Sequence, residues 1–364
     1  MFSGSYSADD VIFLLKPVDV EFTPVAVKER LIQSGTRHYS EMLSRESIPS
    51  EEYLQLFRQA LQRHQTRFAR DVIRLARRIA ECQPEEITLV SLARAGTPIG
   101  ALLKRALQRL GRPTVHYSIS LIRDRGIDTV ALRFLLNSHD PASIVFIDGW
   151  TGKGVMASEL RQAVQKFYTS DGVQLNAGLF VIADLSGTAA EAATDDDYLI
   201  PPSLLGSTVS GLISRSILNP QVVGACDFHG CVYQTEFASN DLSGWFLDYM
   251  TEQIERQWSD PENGQPVMTD GERQSQRQRS QQLLSDIAAR FGVQNPHFIK
   301  PGIGEATRVL LRRVPSLVLL RDDENEDVRH LLTLADRRNV PVLVDRELPY
   351  HAVALIQNVS KGES

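Results

Sequence analysis

The residues best suited to chemistry lie between Ser143 and Met156, which read SIVFIDGWTGKGVM. An apolar β-run, Ile144-Val145-Phe146-Ile147, ends in a lone acid, Asp148. Small residues follow, Gly149-Trp150-Thr151-Gly152-Lys153-Gly154, and a helical pattern opens at Val155 with Leu160, Val164 and Phe167. Strand, acid, glycine loop and helix in that order hold a phosphate. Loop and first-turn N–H groups point at the anion, and the helix dipole favours its charge. Glycine allows close backbone approach, and Asp148 stands at the strand end where open α/β sheets gather ligand groups. The stretch is not a Walker A loop, because Ile147 takes the place of the first glycine and Gly154 follows Lys153. An ordinary strand-to-helix turn is the plain alternative.

The elements around this stretch repeat its form. Ile87–Leu92 is a β-run ending in Ala93-Arg94-Ala95-Gly96, and Thr97-Pro98 opens a helix through Leu110. A third strand, Pro113–Ile122, runs into Arg123-Asp124-Arg125-Gly126-Ile127-Asp128, and a helix over Thr129–Leu136 leads back to Ile144. Another strand spans Gly178–Ala183. This alternation predicts an α/β fold with a mostly parallel sheet, flanking helices and all three loops on the C-terminal rim. Upstream, Ser50 caps a long helix to Arg78 whose Arg-rich face is expected in solvent. Val27–Ser34 is short and amphipathic, with Lys28, Glu29 and Arg30 expected outside. Arg37-His38-Tyr39-Ser40 beside Gly35 is either a ligand loop or a solvated turn, and Asp195-Asp196-Asp197 reads as a solvated turn.

The 364 residues allow two domains, and 42% hydrophobic with 23% charged residues suits a soluble globular protein. The net charge of −6 gives no global basic field for nucleic acid or an anionic membrane. Three cysteines, Cys82, Cys226 and Cys231, suit a reducing cytoplasm better than a disulfide framework. The N-terminus lacks a basic signal region, and no apolar run approaches the ~20 residues of a membrane span. A polar stretch divides the chain into a domain over 1–258, a linker over 259–282 and a small α/β domain over 283–364.

The segments VSLARAGTPIG, HYSISLIRDRGID and IVFIDGWTGKG, with IQSGTRHYSEML, DDYLIPPSLLGSTVSGLISRS and Phe228-His229-Gly230, together resemble the StiP-type phosphoribosyltransferase-like family of bacterial stress and tellurium-resistance gene clusters. The resemblance implies a type I phosphoribosyltransferase-like fold and binding of phosphoribosyl diphosphate with Mg2+. On it, Gly149, Thr151, Gly152, Lys153 and Gly154 belong to the 5′-phosphate loop, and Asp148 holds the ribose hydroxyls. Arg94, Ala95, Gly96 and Thr97 meet the diphosphate, and Arg123 and Arg125 close over the leaving group. Type I loops carry two consecutive acids. Here Gly149 replaces the second, and Asp124 or Asp128 is the candidate substitute. Phosphoribosyl transfer to or from a base, a nucleotide or an RNA-linked acceptor is the implied activity. A ligand-sensing RNA-binding module without turnover is the second reading.

Some members of the family are labelled cysteine proteases, so Cys226 paired with His229, His38 or His116 is a third reading. Cys226 and His229, three residues apart, would tend to face opposite ways, and Cys-x2-His-x-Cys lacks a fourth ligand at zinc spacing; no resident metal site is expected. The C-terminal part resembles the pelota-like RNA-binding fold through Gly302-Ile303-Gly304-Glu305-Ala306-Thr307-Arg308, LVLLRDD and NVPVLV. That resemblance gives RNA contacts to Gly302, Gly304, Glu305, Arg308 and Arg312. From Glu272 to Arg313, eight Lys/Arg face three Asp/Glu, a local excess suited to phosphates.

Overall fold

A computed structural model describes residues 1–83, 85–260 and 268–358. In chain order the first part runs β1 (Ile12–Phe13), β2 (Lys16–Pro17), α1 (Val25–Gln33), α2 (Glu51–Cys82), β3 (Ile87–Leu92), α3 (Gly96–Arg109) and β4 (Thr114–Ile119). A hairpin of β5 (Leu121–Ile122) and β6 (Gly126–Ile127) leads to α4 (Thr129–Leu136), β7 (Ile144–Thr151), α5 (Val155–Asp171), β8 (Leu179–Asp184) and β9 (Glu191–Thr194). β10 (Gly230–Cys231) and α6 (Ser243–Gln257) complete it. Six strands form one sheet in the order β1-β4-β3-β7-β8-β9, parallel at every pairing.

β3 and β8 are buried at every residue, as parallel strands covered on both faces must be. Alternation assigns the faces. Leu89, Val145 and Ile147 pack with α2, α3 and α6, whereas Val90, Ile144 and Phe146 pack with α4 and α5. The register sets Ser91 beside Ile147 and Leu92 beside Ile119, so the three loops emerge side by side. β7 continues through Asp148 and Gly149 to Thr151, longer than the expected run, because Gly149 keeps strand pairing across the point where glycine suggested a loop.

The second part contains α7 (Asp270–Phe291), β11 (Ile299–Pro301), α8 (Ile303–Arg312), β12 (Pro315–Leu320), α9 (Arg329–Arg337), β13 (Val342–Val344) and β14 (Ala352–Ile356). Its sheet order is β11-β14-β12-β13. The expected mixed α/β architecture with a small C-terminal α/β unit is therefore present. The linker expectation needs correction over residues 270–282, which are the first turns of α7. A capping box opens that helix, the Glu272 N–H donating to Thr269 Oγ1 at 3.3 Å and the Thr269 N–H to Glu272 Oε2 at 2.7 Å. Gln and Arg are good helix formers without an apolar period, and they dock by polar contacts, Gln276 to the Leu185 carbonyl at 3.1 Å and Arg277 to the Gly187 carbonyl at 2.7 Å. Residues 261–267 of the linker and 359–364 of the second domain lie outside the described residues.

The two parts share one apolar core, in which Ile303, Ala306, Val309 and Leu310 of α8 join Tyr198, Ile200 and Leu204. Polar contacts fix the joint. Asp197 accepts the Ile303 N–H at 2.9 Å and the His351 N–H at 2.8 Å, and so is no solvated turn. The Arg face of α2 reaches across as well, with Arg63 on Glu326 at 2.9 Å, while Arg67 pairs within the first part with Asp196 at 2.5 Å. Lys28 and Glu29, expected in solvent, are buried, because α1 lies under the second domain. Both oxygens of Glu29 accept from Arg313, each at 2.7 Å.

The Glu29 side chain is fully buried, so Arg313→Ala leaves a carboxylate without its partner. The expected loss is about 3–5 kcal/mol, measured by chemical denaturation, with a smaller loss for the paired Glu29→Leu and Arg313→Leu substitutions. A single variant as stable as the wild type would deny the pair any part in holding the domains.

Candidate functional site

Backbone contact brings the first two loops together. A Cβ on Gly96 would stand 2.6 Å from the Ile147 carbonyl oxygen, and one on Gly149 would stand 3.3 Å from that of Ala95. Glycine at 96 is therefore required by close approach. Asp148 at the end of β7 is buried, and its Oδ1 accepts the Gly149 N–H at 2.8 Å. Burial pushes its carboxyl up to about 6, and Glu305 adds to this, while Arg308 and the Gly149 N–H pull it down.

Beyond Asp148 the chain turns tightly. The Thr151 hydroxyl accepts the Gly154 N–H at 2.9 Å, Gly154 has φ +76°, and α5 starts at Val155. The turn faces the second domain. A Cβ on Gly152 would meet the Pro301 carbonyl at 2.5 Å. Lys153 Nζ donates to the carbonyls of Pro296 at 2.5 Å and Ile299 at 2.9 Å. Burial, with Lys300 nearby, lowers the Lys153 ammonium to about 7.

Arg94 is buried and donates to Glu46 at 2.5 Å and to the Ile213 carbonyl at 2.8 Å. Ala95 and Gly96 turn the chain into α3. The Thr97 hydroxyl is buried against Ser118 at 2.8 Å, which leaves its backbone as the part nearest the loop. Burial raises Glu46, yet Arg94 and Arg312 outweigh it and hold the carboxyl at about 2. Arg215 donates to the carbonyls of Tyr39, at 2.7 Å, and Met42. Burial and neighbouring cations bring Arg215 to about 10, Arg312 to about 10 and Lys28 to about 7.

At the hairpin between β5 and β6, Arg123 pairs with Asp124 at 2.9 Å and Arg125 with Glu41 at 3.1 Å. Tyr39 joins this edge to the chamber. Its hydroxyl accepts the Arg123 N–H at 2.8 Å, and its ring lies between the guanidinium groups of Arg123 at 5.3 Å and Arg215 at 5.4 Å. The stretch Arg37–Ser40 thus lies at the rim. Neither expected substitute acid faces Asp148. Asp124 is exposed, and buried Asp128 caps α4 through the Ala131 N–H at 3.0 Å while accepting the His229 N–H at 2.6 Å.

The five residues given RNA contacts lie at the domain joint. Gly302 is buried, Gly304 packs on Trp150, and Arg308 stacks over the Trp150 ring at 4.3 Å. Arg308 also donates to Glu305 at 2.9 Å. Arg312 reaches Gly206, where a Cβ would be 3.3 Å from its Nη2. Sequence reasoning left Lys28, Glu29 and Glu46 without a site role, because Lys and Glu are ordinary surface residue types whose partners Arg313 and Arg312 come from far along the chain.

The cysteines are apart from this chamber's hydrogen-bond network. Cys82 and Cys226 are exposed, and Cys231 is buried with its thiol pushed up to about 12 by that burial. His229 Nδ1 meets Ser120 Oγ at 2.8 Å, His38 Nδ1 meets Ser40 Oγ at 2.8 Å, and His116 bonds Ser91 and the Asp10 carbonyl, both at 2.8 Å. Among the described residues no three His, Cys, Asp or Glu side chains gather as a metal site, and no helix is long and apolar enough to cross a membrane.

The fold is that of an α/β protein whose parallel sheet meets a second, smaller α/β unit, with buried cationic side chains gathered where the two join. The chain belongs to the StiP family: residues 4–251 match the model described as "Tellurite-like stress resistance cysteine protease StiP". A curated relative from Acinetobacter baylyi (strain ATCC 33305 / BD413 / ADP1), "Cysteine protease StiP", is 45% identical over 371 residues, covering 99% of this chain and 96% of that protein. Residues 278–358 match the "PELOTA RNA binding domain". Among solved structures, a hypoxanthine phosphoribosyltransferase mutant from Trypanosoma cruzi complexed with IMP is 13% identical, with a TM-score of 0.27 over 54% of this chain and 92% of its own. An alanine mutant from a study of an invariant aspartic acid in such enzymes reaches 0.29 at 14% identity, over 37% of this chain and 81% of its own. Likenesses this low do not bear on activity.

Asp148 carries a pH signature of the site. Its folded-state value of about 6 lies above the usual ~3.9, so stability is lost as pH rises from about 4 through 6. Asp148→Asn cannot ionise and should gain roughly 2–3 kcal/mol over wild type at pH 7, the gain fading below about pH 4. Urea denaturation at both pH values measures this, and no gain at pH 7 would mean that Asp148 is better solvated than its burial implies.

Proposed function

We propose that the chain binds phosphoribosyl diphosphate with Mg2+ and transfers a phosphoribosyl group to or from a second substrate at this chamber. The carrying observation is the charge imbalance. Lys28, Arg94, Lys153, Arg215, Lys300, Arg308, Arg312 and Arg313 outnumber Glu29, Glu46, Asp148 and Glu305 among them, in burial that has already lowered Lys28 and Lys153 to about 7. A ligand with several phosphate charges restores the balance, and Arg groups recognise phosphate oxygens through paired donors.

The proposed roles are those that the family resemblance implies. Thr151, Gly152, Lys153, Gly154 and the start of α5 receive the 5′-phosphate. Asp148 takes the ribose hydroxyls, Arg94, Ala95 and Gly96 take the diphosphate, and Arg123 and Arg125 cover the leaving group. Positive charge grows on the ribose and negative charge on the departing diphosphate, so positioning and fixed charges supply the catalysis. Mg2+ keeps several waters and needs one or two carboxylates beside the phosphates; Asp148 and Glu305 are suited to that. The match of residues 278–358 to an RNA-binding family supports a nucleotide or RNA-linked acceptor.

The name of the 45% identical relative favours a cysteine peptidase as a second reading. That chemistry needs a thiolate within hydrogen-bond reach of an imidazole, and no such bond joins a cysteine to a histidine among the described residues.

Calorimetry of phosphoribosyl diphosphate with Mg2+ separates these readings. Wild type and Cys226→Ala should bind alike, and Asp148→Asn, Lys153→Ala and Arg94→Gln should each weaken binding at least tenfold. Diphosphate release that depends on Asp148 would mark turnover rather than sensing. A folded wild type that fails to bind removes the phosphoribosyl reading, and peptide cleavage lost in Cys226→Ala would replace it.

A further inference from the structure

Gly149 leaves the site one carboxylate short of the type I pattern, and neither Asp124 nor Asp128 makes up the loss. The Ala95 carbonyl crowds position 149, where a Cβ would stand 3.3 Å away. Asp124 points outward onto Arg123, and Asp128 is spent on the start of α4 and the His229 N–H. The acid that does lie on the phosphate turn comes from the other domain. Glu305, in the first turn of α8, has its Cγ 3.5 Å from where a Cβ on Gly152 would be.

Its placement is built rather than incidental. Gly304 lies so close to Trp150 of β7 that a Cβ would be 2.7 Å from the ring, which seats the first turn of α8 against the strand carrying Asp148. Arg308, one turn on, stacks over the same ring at 4.3 Å and donates to Glu305 Oε1 at 2.9 Å. Lys300 Nζ stands 3.6 Å from Glu305 Oε2. Glu305 remains partly exposed, so the carboxylate is held but not sealed.

We propose that Glu305 is the second carboxylate of the phosphoribosyl site and that the C-terminal domain, through α8, completes a site the first domain cannot form alone. The proposal rests on the phosphoribosyl reading above. Glu305 and Arg308, which the pelota resemblance assigns to RNA, here face inward and serve the small-molecule site. Glu305 acts as a ligand-binding group on the turn after Asp148, with Arg308, one helical turn on, as its positioning residue.

The electrostatics agree with this division. Burial raises Glu305, but Lys300, Arg308 and Lys153 outweigh it and hold the carboxyl at about 2. Burial leads the upward shift of Asp148 to about 6, and the charge of Glu305 adds to it.

The test uses the full chain, with Glu305→Gln and Glu305→Asp compared with wild type by calorimetry of phosphoribosyl diphosphate with and without Mg2+, alongside melting temperatures. Glu305→Gln should weaken Mg2+-dependent binding at least tenfold while changing binding without Mg2+ little. A merely structural role would weaken both alike. If Glu305→Gln loosens the domains, seen as a lowered melting temperature, Glu305→Asp decides: it keeps the charge at shorter reach and should weaken binding severalfold. Wild-type affinity in the presence of Mg2+ overturns the proposal and leaves the phosphoribosyl reading standing. Tighter binding also overturns it, since α8 would then be a plug. No binding by folded wild type removes both.

Discussion

Positive charge gathered out of water is the constraint on which the rest of the structure depends. A buried cation beside other cations loses solvation and gains repulsion, and Lys28 and Lys153 at about 7, with Arg215 and Arg312 at about 10, show both effects. Glu46 and Glu29 relieve part of the load through short contacts with Arg94 and Arg313. Backbone carbonyls meet Lys153 and Arg215, and Glu305 meets Lys300 and Arg308. Domain docking depends on these charges, since Arg308, Arg312 and Arg313 belong to the second domain and Lys28, Arg94 and Lys153 to the first.

The scaffold can hold these charges because the loops carrying them are short extensions of buried parallel strands. Gly96 against the Ile147 carbonyl and Gly152 against the Pro301 carbonyl leave no room for side chains. Lys153, tied to two carbonyls of the second domain, couples the phosphate turn to that domain's position. Any ligand phosphate entering the turn competes with those carbonyls for Lys153 or joins them around it.

Much of this was legible in the sequence where the signal is local. A continuous β-run located β3 over Ile87–Leu92, α4 followed Asp128 at Thr129–Leu136, and Ser50 capped α2. Parallel pairing then placed the three loops on one rim. The signals failed where a residue's surroundings come from far along the chain. Glu29 and Arg313 are 284 positions apart, and nothing near Lys28 or Glu29 marks them as buried. Helix α7 carries almost no apolar period, so its polar composition resembled a linker. The Thr269-to-Glu272 capping box was its one local sign. Gly149 punctuated the reading of β7, although strand pairing runs past it.

The segment from Cys226 to Cys231 shows how a motif rich in reactive residue types can serve architecture. Gly230 and Cys231 pair with Lys16 and Pro17, and Lys16 in turn holds Asp227 at 2.7 Å. His229 gives its N–H to Asp128 and its Nδ1 to Ser120, two residues that flank the Arg123–Arg125 hairpin. Burial of Cys231 pushes its thiol to about 12, far from the thiolate a nucleophile requires. The segment thus clasps the base of the hairpin from outside, fixing where Arg123 leaves β5 and where α4 begins. Its residues bear on the rim of the sheet through that clasp, by holding the Arg123–Arg125 loop in register.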